Sequence, residues 1–423
     1  AVAGKGKGSG VLPGIINSKV WHYRRDQLSE AERLELAART EALRHSRRER
    51  ADAGKLKLLI EELEAVLRRV GGRVYPKSAV VENLEFFLVA AIVILGVRTY
   101  FVQPFKIPTN SMWPSYYGMT PQVYRTPEER PGALARALRL VAFGARNYDI
   151  AAPDSGEVSA DFFENGLLAY VEVPGRRWLI FPTTLHEYTL QAGGTPVNIT
   201  VPEDFRFDEA VQEAFYGSHD GMLAQLRKEA ANGAAEAHMI YVRPGAVPHR
   251  VYRLRLGRTV RRGEMLLSFD LLTGDQLFVD RLSYHFRRPS AGQGFVFRTD
   301  HIDGISDDGG RIQQYYIKRL VGVPGDTLEI KFFALYRNGR PITGSDAFDK
   351  NARQEGKYPG YQNVGDLAVG RTMTVPPHSF LALGDNSGNS KDGRYWGYVP
   401  AKDVVGTPLF IYYPFTRRWG TAK

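Results

Sequence analysis

One long apolar run limits how this chain can fold. Residues 86–97 read FFLVAAIVILGV without a charge, and the sequence stays mostly apolar as far as Phe105. A helix needs about 20 such residues to cross the hydrocarbon core of a bilayer. The run reaches that length when Glu85 and Arg98 lie near the two membrane surfaces, where long charged side chains are tolerated. The sequence therefore predicts one transmembrane helix over residues 84–105, with a buried core helix as the alternative.

The segment that precedes the apolar run is basic and has helical periodicity. Ser29 followed by Glu32 is typical of a capping box, and apolar residues recur at helical spacing over residues 56–70. We predict that residues 1–80 are a basic segment with a helical hairpin, either an accessory solvated element or a surface for lipid or a partner. Its positive charge predicts a cytoplasmic location. No nucleic-acid motif accompanies the basic residues, so we expect no nucleic-acid partner.

Beyond the apolar run the chain is predicted to be mainly β. Short β-branched and aromatic runs alternate with Gly and Pro, which indicates a β-rich body of barrel or sandwich type. We predict strands over residues 167–173, 178–181, 265–269, 294–298, 315–321, 327–333, 380–383 and 404–413. Helical periodicity appears twice within this part, over residues 132–143 and from about 208 to 230.

Composition excludes several kinds of site. The chain has no cysteine, so disulfides, cysteine nucleophiles and thiolate metal sites are ruled out. The histidines are scattered and do not pair with carboxylates at metal-ligand spacing, and the Gly-rich stretches lack the Lys-Ser/Thr of a phosphate-binding loop. We therefore expect no metal and no cofactor.

Three short segments carry groups suited to catalysis. In the first, prolines stiffen the chain around Ser111, which gives this hydroxyl a fixed presentation. In the second, strand alternation places Tyr316, Lys318 and Leu320 on one face; if that face is buried, desolvation lowers the pKa of the lysine and makes it a candidate general base. The third, residues 384–400, concentrates polar groups in a turn-rich loop. Each has a plain alternative: an ordinary loop serine, a solvent-facing lysine and a capped surface turn.

The three segments, in this order behind an apolar helix, resemble the bacterial type I signal peptidases. The first is similar to their serine box, Ser-Met-x-Pro, and the second matches their lysine box, Tyr-Ile-Lys-Arg-x-Val-Gly-x-Pro-Gly-Asp. The third is similar to their Gly-Asp-Asn box, and residues 274–284 and 289–297 resemble the strands before the lysine box. The sequence departs from the family at Asn110, Ser115, Ser387-Gly388 and Gly393, and by an insertion of about 150 residues after the serine box.

The resemblance implies a serine endopeptidase that removes N-terminal signal peptides from exported preproteins by cleavage after Ala-x-Ala-type sites. It implies that Ser111 is the nucleophile, Lys318 the general base, and the Thr109 hydroxyl with the Ser111 N–H the oxyanion hole. Ser390 is expected to hydrogen-bond Lys318. A salt bridge between Asp392 and Arg394 is expected to support the site. The residues expected to line small apolar substrate pockets are Ile107, Met112, Tyr316 and Ile317.

The resulting prediction is a signal-peptidase-like β-rich catalytic body behind a single N-terminal transmembrane helix, with an α/β insertion and an N-terminal helical hairpin. The catalytic body comprises residues 106–118 and 273–420, and the inserted domain comprises residues 119–272. The resemblance implies the cytoplasmic membrane of a bacterium, with the N-terminus inside and the catalytic body on the outer face. The expected partners are signal peptides of secretory preproteins, the lipid bilayer and the export machinery.

Two other functions compete with this prediction. A membrane-tethered β-rich scaffold would keep the fold without catalysis. A self-cleaving repressor-like peptidase would use the same serine–lysine chemistry, but the apolar anchor argues against it. Within the insertion, the helix over residues 132–143 is predicted either to lie on lipid or to pack as an ordinary surface helix.

Overall fold

The computed structural model describes residues 20–177, 181–217, 228, 236–307, 310–311 and 314–422. The chain divides into two compact units, one ending at Gly96 and the other beginning at Val97. The helices with described bounds are α1 Glu30–Arg48, α2 Ala53–Val70, α3 Ala79–Tyr100, α4 Ala133–Phe143, α5 Phe207–Phe215, α6 Asp346–Ala352 and α7 Gly393–Trp396. Short 3₁₀ turns are formed by Asn110–Met112, Pro127–Glu129, Ser283–His285, Gly365–Leu367, Ser387–Asn389 and Ala401–Asp403.

The strands, in chain order, are β1 Val102–Lys106, β2 Thr120–Val123, β3 Arg146–Ala151, β4 Gly156–Phe163, β5 Tyr170–Arg177, β6 Phe181–Ala192, β7 Thr195–Pro202, β8 Glu236–Ile240, β9 His249–Val260, β10 Met265–Leu272, β11 Gln276–Asp280 and β12 Gly294–Arg298. They continue with β13 Ser306–Asp307, β14 Gly310–Arg311, β15 Tyr315–Gly322, β16 Thr327–Lys331, β17 Ala334–Arg337, β18 Arg340–Pro341, β19 Met373–Thr374, β20 Ser379–Leu383, β21 Val399–Pro400, β22 Val404–Tyr413 and β23 Gly420–Thr421.

The first unit contains the predicted helical hairpin. The capping box forms at the start of α1, where the Ser29 hydroxyl accepts a hydrogen bond from the Glu32 N–H and the Glu32 carboxylate accepts one from the Ser29 N–H. α1 and α2 bury Leu36 and Leu63 in a shared apolar cluster. The hairpin prediction is confirmed for the described residues; residues 1–19 of the predicted basic segment lie outside them.

Helix α3 contains the apolar run. It has a mean hydropathy of 2.2 and no buried residue, and in the described part of the chain it is the one helix long and apolar enough to span a membrane. The helix was predicted over residues 84–105; it begins earlier, at Ala79, and ends earlier, at Tyr100. The last predicted residues form β1, which pairs with β11. Pro104 explains the early end, since proline cannot donate to a helical hydrogen bond and clashes with the preceding turn.

The segments predicted to carry the catalytic groups lie on or beside one eight-stranded antiparallel sheet. Its order is β1-β11-β22-β12-β15-β20-β21, with β23 paired to β22. The predicted strands over residues 294–298 and 404–413 are confirmed as β12 and β22. The predicted strand over residues 327–333 ends at Lys331, because Phe332 and Phe333 have φ of 47° and 68° and form the two-residue turn into β17. β16 and β17 belong to a smaller sheet, β18-β17-β16-β19.

The insertion forms sheets and an apolar cluster of its own. β2, β10 and β3 make a three-stranded sheet, and β5-β6-β4-β9-β8 make a larger one with β7 on β6. One cluster of buried residues is drawn entirely from between Met119 and Leu271. The first predicted helix is confirmed as α4. The second is shorter than predicted: α5 ends at Phe215, and Gly217 follows in a left-handed conformation that favours helix termination. Residues 178–180, 218–227 and 229–235 lie outside the described part.

The insertion leaves the catalytic body and returns to it at one point. Asp275 N–H donates to the Tyr117 carbonyl over 2.8 Å. A Cβ atom on Gly274 would lie 1.8 Å from the Ile107 carbonyl oxygen and 3.1 Å from the carbonyl carbon of Gly118. Only glycine permits this approach of the two backbones, so the ends of the insertion are held side by side.

Candidate active site

Ser111 and Lys318 meet although they are far apart in sequence. Ser111 lies in the 3₁₀ turn Asn110–Met112, which follows β1, and Lys318 lies in β15. Lys318 Nζ and Ser111 Oγ form a hydrogen bond of 2.5 Å. The lysine side chain is 4% exposed. This distance is suitable for direct proton transfer between the hydroxyl and the amine.

The surroundings of Lys318 favour its neutral form. Burial lowers the pKa of Lys318 to about 8, opposed by the negative charge of Asp392 and assisted by the positive charge of Arg394. β15 is buried on both faces from Lys318 to Gly322, which explains the desolvation. About a tenth of this amine is therefore unprotonated at pH 7 and about half at pH 8, and the unprotonated form can accept a proton.

The pair lies in a cleft of about 280 Å³. Thr109, Ile107, Tyr316 and Ile317, all predicted site residues, line this cleft. Met112 does not: it is 0% exposed and packs in an apolar cluster behind the serine turn, so its predicted place in a substrate pocket is wrong. Adjacent residues of a tight turn point in different directions, and here Asn110 and Ser111 line the cleft whereas Met112 does not.

A larger cavity of about 930 Å³ lies in the insertion and is lined in part by Tyr170 and Glu172. Its lining contains neither serine nor lysine among the described residues. We therefore place the chemistry in the smaller cleft.

The predicted hydrogen bond between Ser390 and Lys318 is absent. Ser390 Oγ is buried and has no hydrogen-bond partner among the described residues. It lies against Gly384, where an added Cβ would come within 2.1 Å of it. The space left by the glycine thus accommodates the hydroxyl, while the amine of Lys318 is directed to Ser111.

Asp392 and Arg394 form the expected salt bridge, and both are fully buried. Two hydrogen bonds of 2.8 Å join the guanidinium to the two carboxylate oxygens. The guanidinium also donates to Ser387, to the hydroxyl over 2.6 Å and to the carbonyl over 2.8 Å, and to the carbonyls of Gln362 and Ser390. Asp392 also accepts from the Gly384 N–H at 2.9 Å. The departure from the family pattern at Ser387 therefore leaves a saturated network, as buried charges require.

A second buried ion pair ties the three segments together and was missed by the sequence analysis. Arg319 makes a bidentate contact with Asp385, with distances of 2.8 Å from Nε and 2.6 Å from Nη2. The Ser115 hydroxyl donates to the same carboxylate over 2.5 Å. The serine, lysine and Gly-Asp-Asn segments are thus joined at one point beside the cleft. The signal in the sequence was Arg319 itself. An arginine buried in a strand needs a carboxylate partner, and Asp385 in the third segment was a candidate.

The insertion also reaches the cleft, which the sequence analysis did not predict. Asp204 and Arg206 contribute to its lining, and Arg206 hydrogen-bonds the Asn389 side chain. Asn110 Nδ2 lies 3.4 Å from a carboxylate oxygen of Glu209 on α5, and burial raises the pKa of Glu209. Asn110, where the family commonly has glycine, was the signal available in the sequence.

One cluster of potential metal ligands lies away from the cleft, formed by Asp300, His301 and Asp403. The His301 Nδ1 atom is 2.8 Å from Asp403 Oδ1. Arg298 lies 3.4 Å from both carboxylates and already supplies a positive charge there. We assign no metal to this cluster.

Comparison with known proteins points to one family. The family described as "Signal peptidase, peptidase S26" matches residues 258–413. A probable signal peptidase I-1 of Synechocystis sp. is 31% identical over 35% of this chain and 66% of its own length. A signal peptidase I of Bacillus licheniformis is 35% identical over 29% of this chain and 67% of its own length.

Two further comparisons differ in kind. A protein of Staphylococcus aureus named inactive signal peptidase IA is 25% identical over 38% of this chain and 81% of its own length. A signal peptidase I from Enterococcus faecalis, known from its crystal structure, is 27% identical in sequence over 29% of this chain and 97% of that chain, with a TM-score of 0.22.

This chain covers only part of the length of its relatives. The aligned part spans 66% of the Synechocystis protein and 64% of a signal peptidase I of Leptolyngbya laminosa.

Proposed function

This chain belongs to the signal peptidase family, peptidase S26, and we propose that it is a membrane-bound serine endopeptidase that removes N-terminal signal peptides from exported preproteins. The observation that carries the proposal is the 2.5 Å contact between Lys318 Nζ and Ser111 Oγ. A buried lysine with a pKa of about 8 is suited to activate a serine hydroxyl.

The reaction begins with transfer of the Ser111 hydroxyl proton to the neutral amine of Lys318 as Oγ attacks the scissile carbonyl carbon. The tetrahedral intermediate then collapses, the C–N bond breaks, and the Lys318 ammonium returns the proton to the leaving amine. Water, deprotonated by the same amine, then attacks the acyl carbon. The bond from this carbon to Ser111 Oγ breaks, the Lys318 ammonium returns the proton to Oγ, and the signal peptide is released. No cofactor takes part in this scheme.

The oxyanion is proposed to be stabilised by the Thr109 hydroxyl and the Ser111 N–H. Thr109 is exposed and lines the cleft two residues before Ser111. Its hydroxyl makes no capping hydrogen bond to the 3₁₀ turn that follows. Such a donor next to the nucleophile is suited to the charge that develops on the carbonyl oxygen.

Selection of Ala-x-Ala-type sites is proposed to follow from the apolar wall of the cleft. Ile107 is nearly fully buried where it meets the cleft, and Tyr316 and Ile317 complete the wall from β15. Small side chains fit a narrow apolar site, whereas larger ones collide with its walls. The Asp392–Arg394 pair is proposed to support the loop beside Lys318 rather than to contact substrate.

The apolar helix α3 is proposed to anchor the enzyme in the cytoplasmic membrane of a bacterium. Its 22 residues match the thickness of a bilayer, and none of them is buried. The basic flank supports a cytoplasmic N-terminal segment, and the catalytic body is proposed to lie on the outer face of the membrane. There it would meet preproteins as they leave the export machinery.

The test is cleavage of a preprotein with an Ala-x-Ala leader by the full chain in detergent. We expect Ser111→Ala and Lys318→Ala each to abolish release of the leader. Ser290→Ala and Lys402→Ala are matched controls, because both residues are exposed and lie outside the cleft. Cleavage that persists in the Ser111 or Lys318 variant would refute the assignment of the pair.

A catalytically inactive membrane-tethered scaffold is the second candidate, favoured by the relative whose name describes it as inactive. The intact Ser111–Lys318 contact argues against it. A folded parent chain that cleaves none of several leaders and forms no acyl-enzyme would establish the scaffold instead.

A further inference from the structure

Helix α4 of the insertion presents its apolar side to solvent. Leu134, Leu138 and Val141, spaced i, i+4 and i+7, are 76%, 62% and 71% exposed. This spacing puts all three side chains on one side of the helix, which we call the outer face. A surface helix of a water-soluble protein has the opposite arrangement, with its apolar stripe against the core.

The charged residues of α4 point the other way and are fixed on the protein. Arg139 Nε lies 2.7 Å from Asp270, which is 1% exposed. Arg136 pairs with Asp149 at 3.2 Å. These pairs fix the rotation of the helix about its axis. Turning the outer face inward would break both pairs and leave the Asp270 carboxylate buried without its arginine.

A neighbouring aromatic residue extends the apolar surface. The Phe415 N–H donates to the Ala142 carbonyl at 3.0 Å, and the Phe415 side chain is 58% exposed. α4 contains no acidic residue, so no negative charge accompanies the exposed aliphatic groups. The surface thus presents apolar side chains without acidic groups, as does the lipid-facing side of a helix that lies in a membrane interface.

The chain itself indicates what covers this surface. α3 is apolar and has no buried residue, so a bilayer is its expected surroundings, and β1 of the eight-stranded sheet begins at Val102, directly after α3 ends at Tyr100. A chain that leaves a bilayer at Tyr100 therefore enters β1 after one residue, so lipid is the partner that the chain itself supplies. The outer face also offers no polar group that could orient a protein partner, whereas lipid contact requires none.

We propose that the outer face of α4 lies in the lipid interface and is a second membrane contact of the enzyme. This inference rests on the proposed membrane anchoring by α3. The contact would hold the insertion, and with it Asp204 and Arg206 at the cleft, in a fixed position relative to the bilayer surface. Substrates that emerge from the membrane would then meet the cleft at a fixed height.

The chain has no cysteine, so one introduced cysteine can be labelled with a fluorophore at a chosen position without labelling any other residue. Leu138→Cys carries an environment-sensitive fluorophore in the full chain, reconstituted in vesicles of phosphatidylglycerol and phosphatidylethanolamine. Val369→Cys, at a position 85% exposed in the same unit, is the aqueous control, and Ile92→Cys in α3 is the membrane control. Val141→Cys repeats the measurement if the first variant folds poorly.

We expect the probe at residue 138 to lose its quenching by aqueous iodide and to be quenched by lipids labelled near the headgroup. The depth should be about 5–10 Å, as for interfacial helices. Iodide quenching equal to that at residue 369, with residue 92 in lipid, would overturn the lipid contact and leave the anchor intact. Energy transfer between copies without lipid quenching would show that a second copy covers the face, which also overturns the proposal. If residue 92 is not quenched by lipid, the anchoring itself fails.

Discussion

Replacing Lys318 by methionine should make the protein more stable at neutral pH while it removes activity. The amine is 4% exposed, and its pKa falls from 10.5 to about 8 on folding. A tenfold change in proton affinity corresponds to about 1.4 kcal/mol, so burial of the charged amine costs the fold about 3 kcal/mol below pH 8. Methionine has a similar length and no charge, so it removes this cost.

Part of the gain is offset, because Lys318→Met also removes the hydrogen bond to Ser111, worth about 1 kcal/mol. We expect a net gain of about 2 kcal/mol at pH 7, or roughly 2 °C in Tm for a protein of this size. Thermal unfolding of the full chain in detergent, followed by circular dichroism, measures it. Lys402→Met, at an exposed position, is the matched control and should leave Tm unchanged.

The pH dependence of the stability gain distinguishes loss of a buried charge from better packing of the methionine side chain. Above pH 10.5 the lysine is neutral in both folded and unfolded chains, so it carries no penalty. As pH falls from 10.5 to 8, the unfolded chain takes up the proton first, and the parent loses stability. The advantage of Lys318→Met should therefore shrink between pH 8 and pH 10. An advantage that is the same at pH 7 and pH 10, or a variant less stable than the parent at pH 7, would refute the reasoning.

Three further outcomes are expected. kcat/KM for leader cleavage should rise with pH through an apparent pKa near 8, because only the neutral amine of Lys318 accepts the serine proton; a flat profile between pH 7 and 9 would contradict this. Thr109→Val should lower kcat on the order of a hundredfold with little change in KM, whereas Thr109→Ser keeps most activity, as measured on the same preprotein. Arg319→Met should destabilise the fold by about 3–5 kcal/mol because Asp385 is left buried and unpaired, and adding Asp385→Leu should restore most of the loss in thermal unfolding.

Local patterns in the sequence were enough to predict the elements that carry the chemistry. β12 and β22 have the predicted bounds, since β-branched and aromatic runs between turn residues report directly on strands. The start of α1 followed from its capping box. The contact of Ser111 with Lys318 followed from the resemblance, because strand periodicity alone does not show which face of β15 is buried.

Partners chosen by tertiary packing could not be predicted. Arg319 finds Asp385 and Ser115 from two other segments, and no periodicity links these three positions. Ser390 was assigned to the lysine, but the rotamers of neighbouring buried groups decide such a bond, and Gly384 gives the hydroxyl another place. Arg206 reaches the cleft from the insertion, for which the family pattern offers no guide.

The meeting of Gly118 and Gly274 has a consequence for how this chain could have arisen. An insertion is tolerated when its two ends lie close together on the host, because the host then keeps its own backbone path. The junction formed by Gly118, Gly274 and the Ile107 carbonyl meets that condition. A single genetic event could therefore have added the whole module without separating Ser111 from Lys318. The same junction is the natural place to exchange the module for another and so give one protease a different substrate-facing lobe.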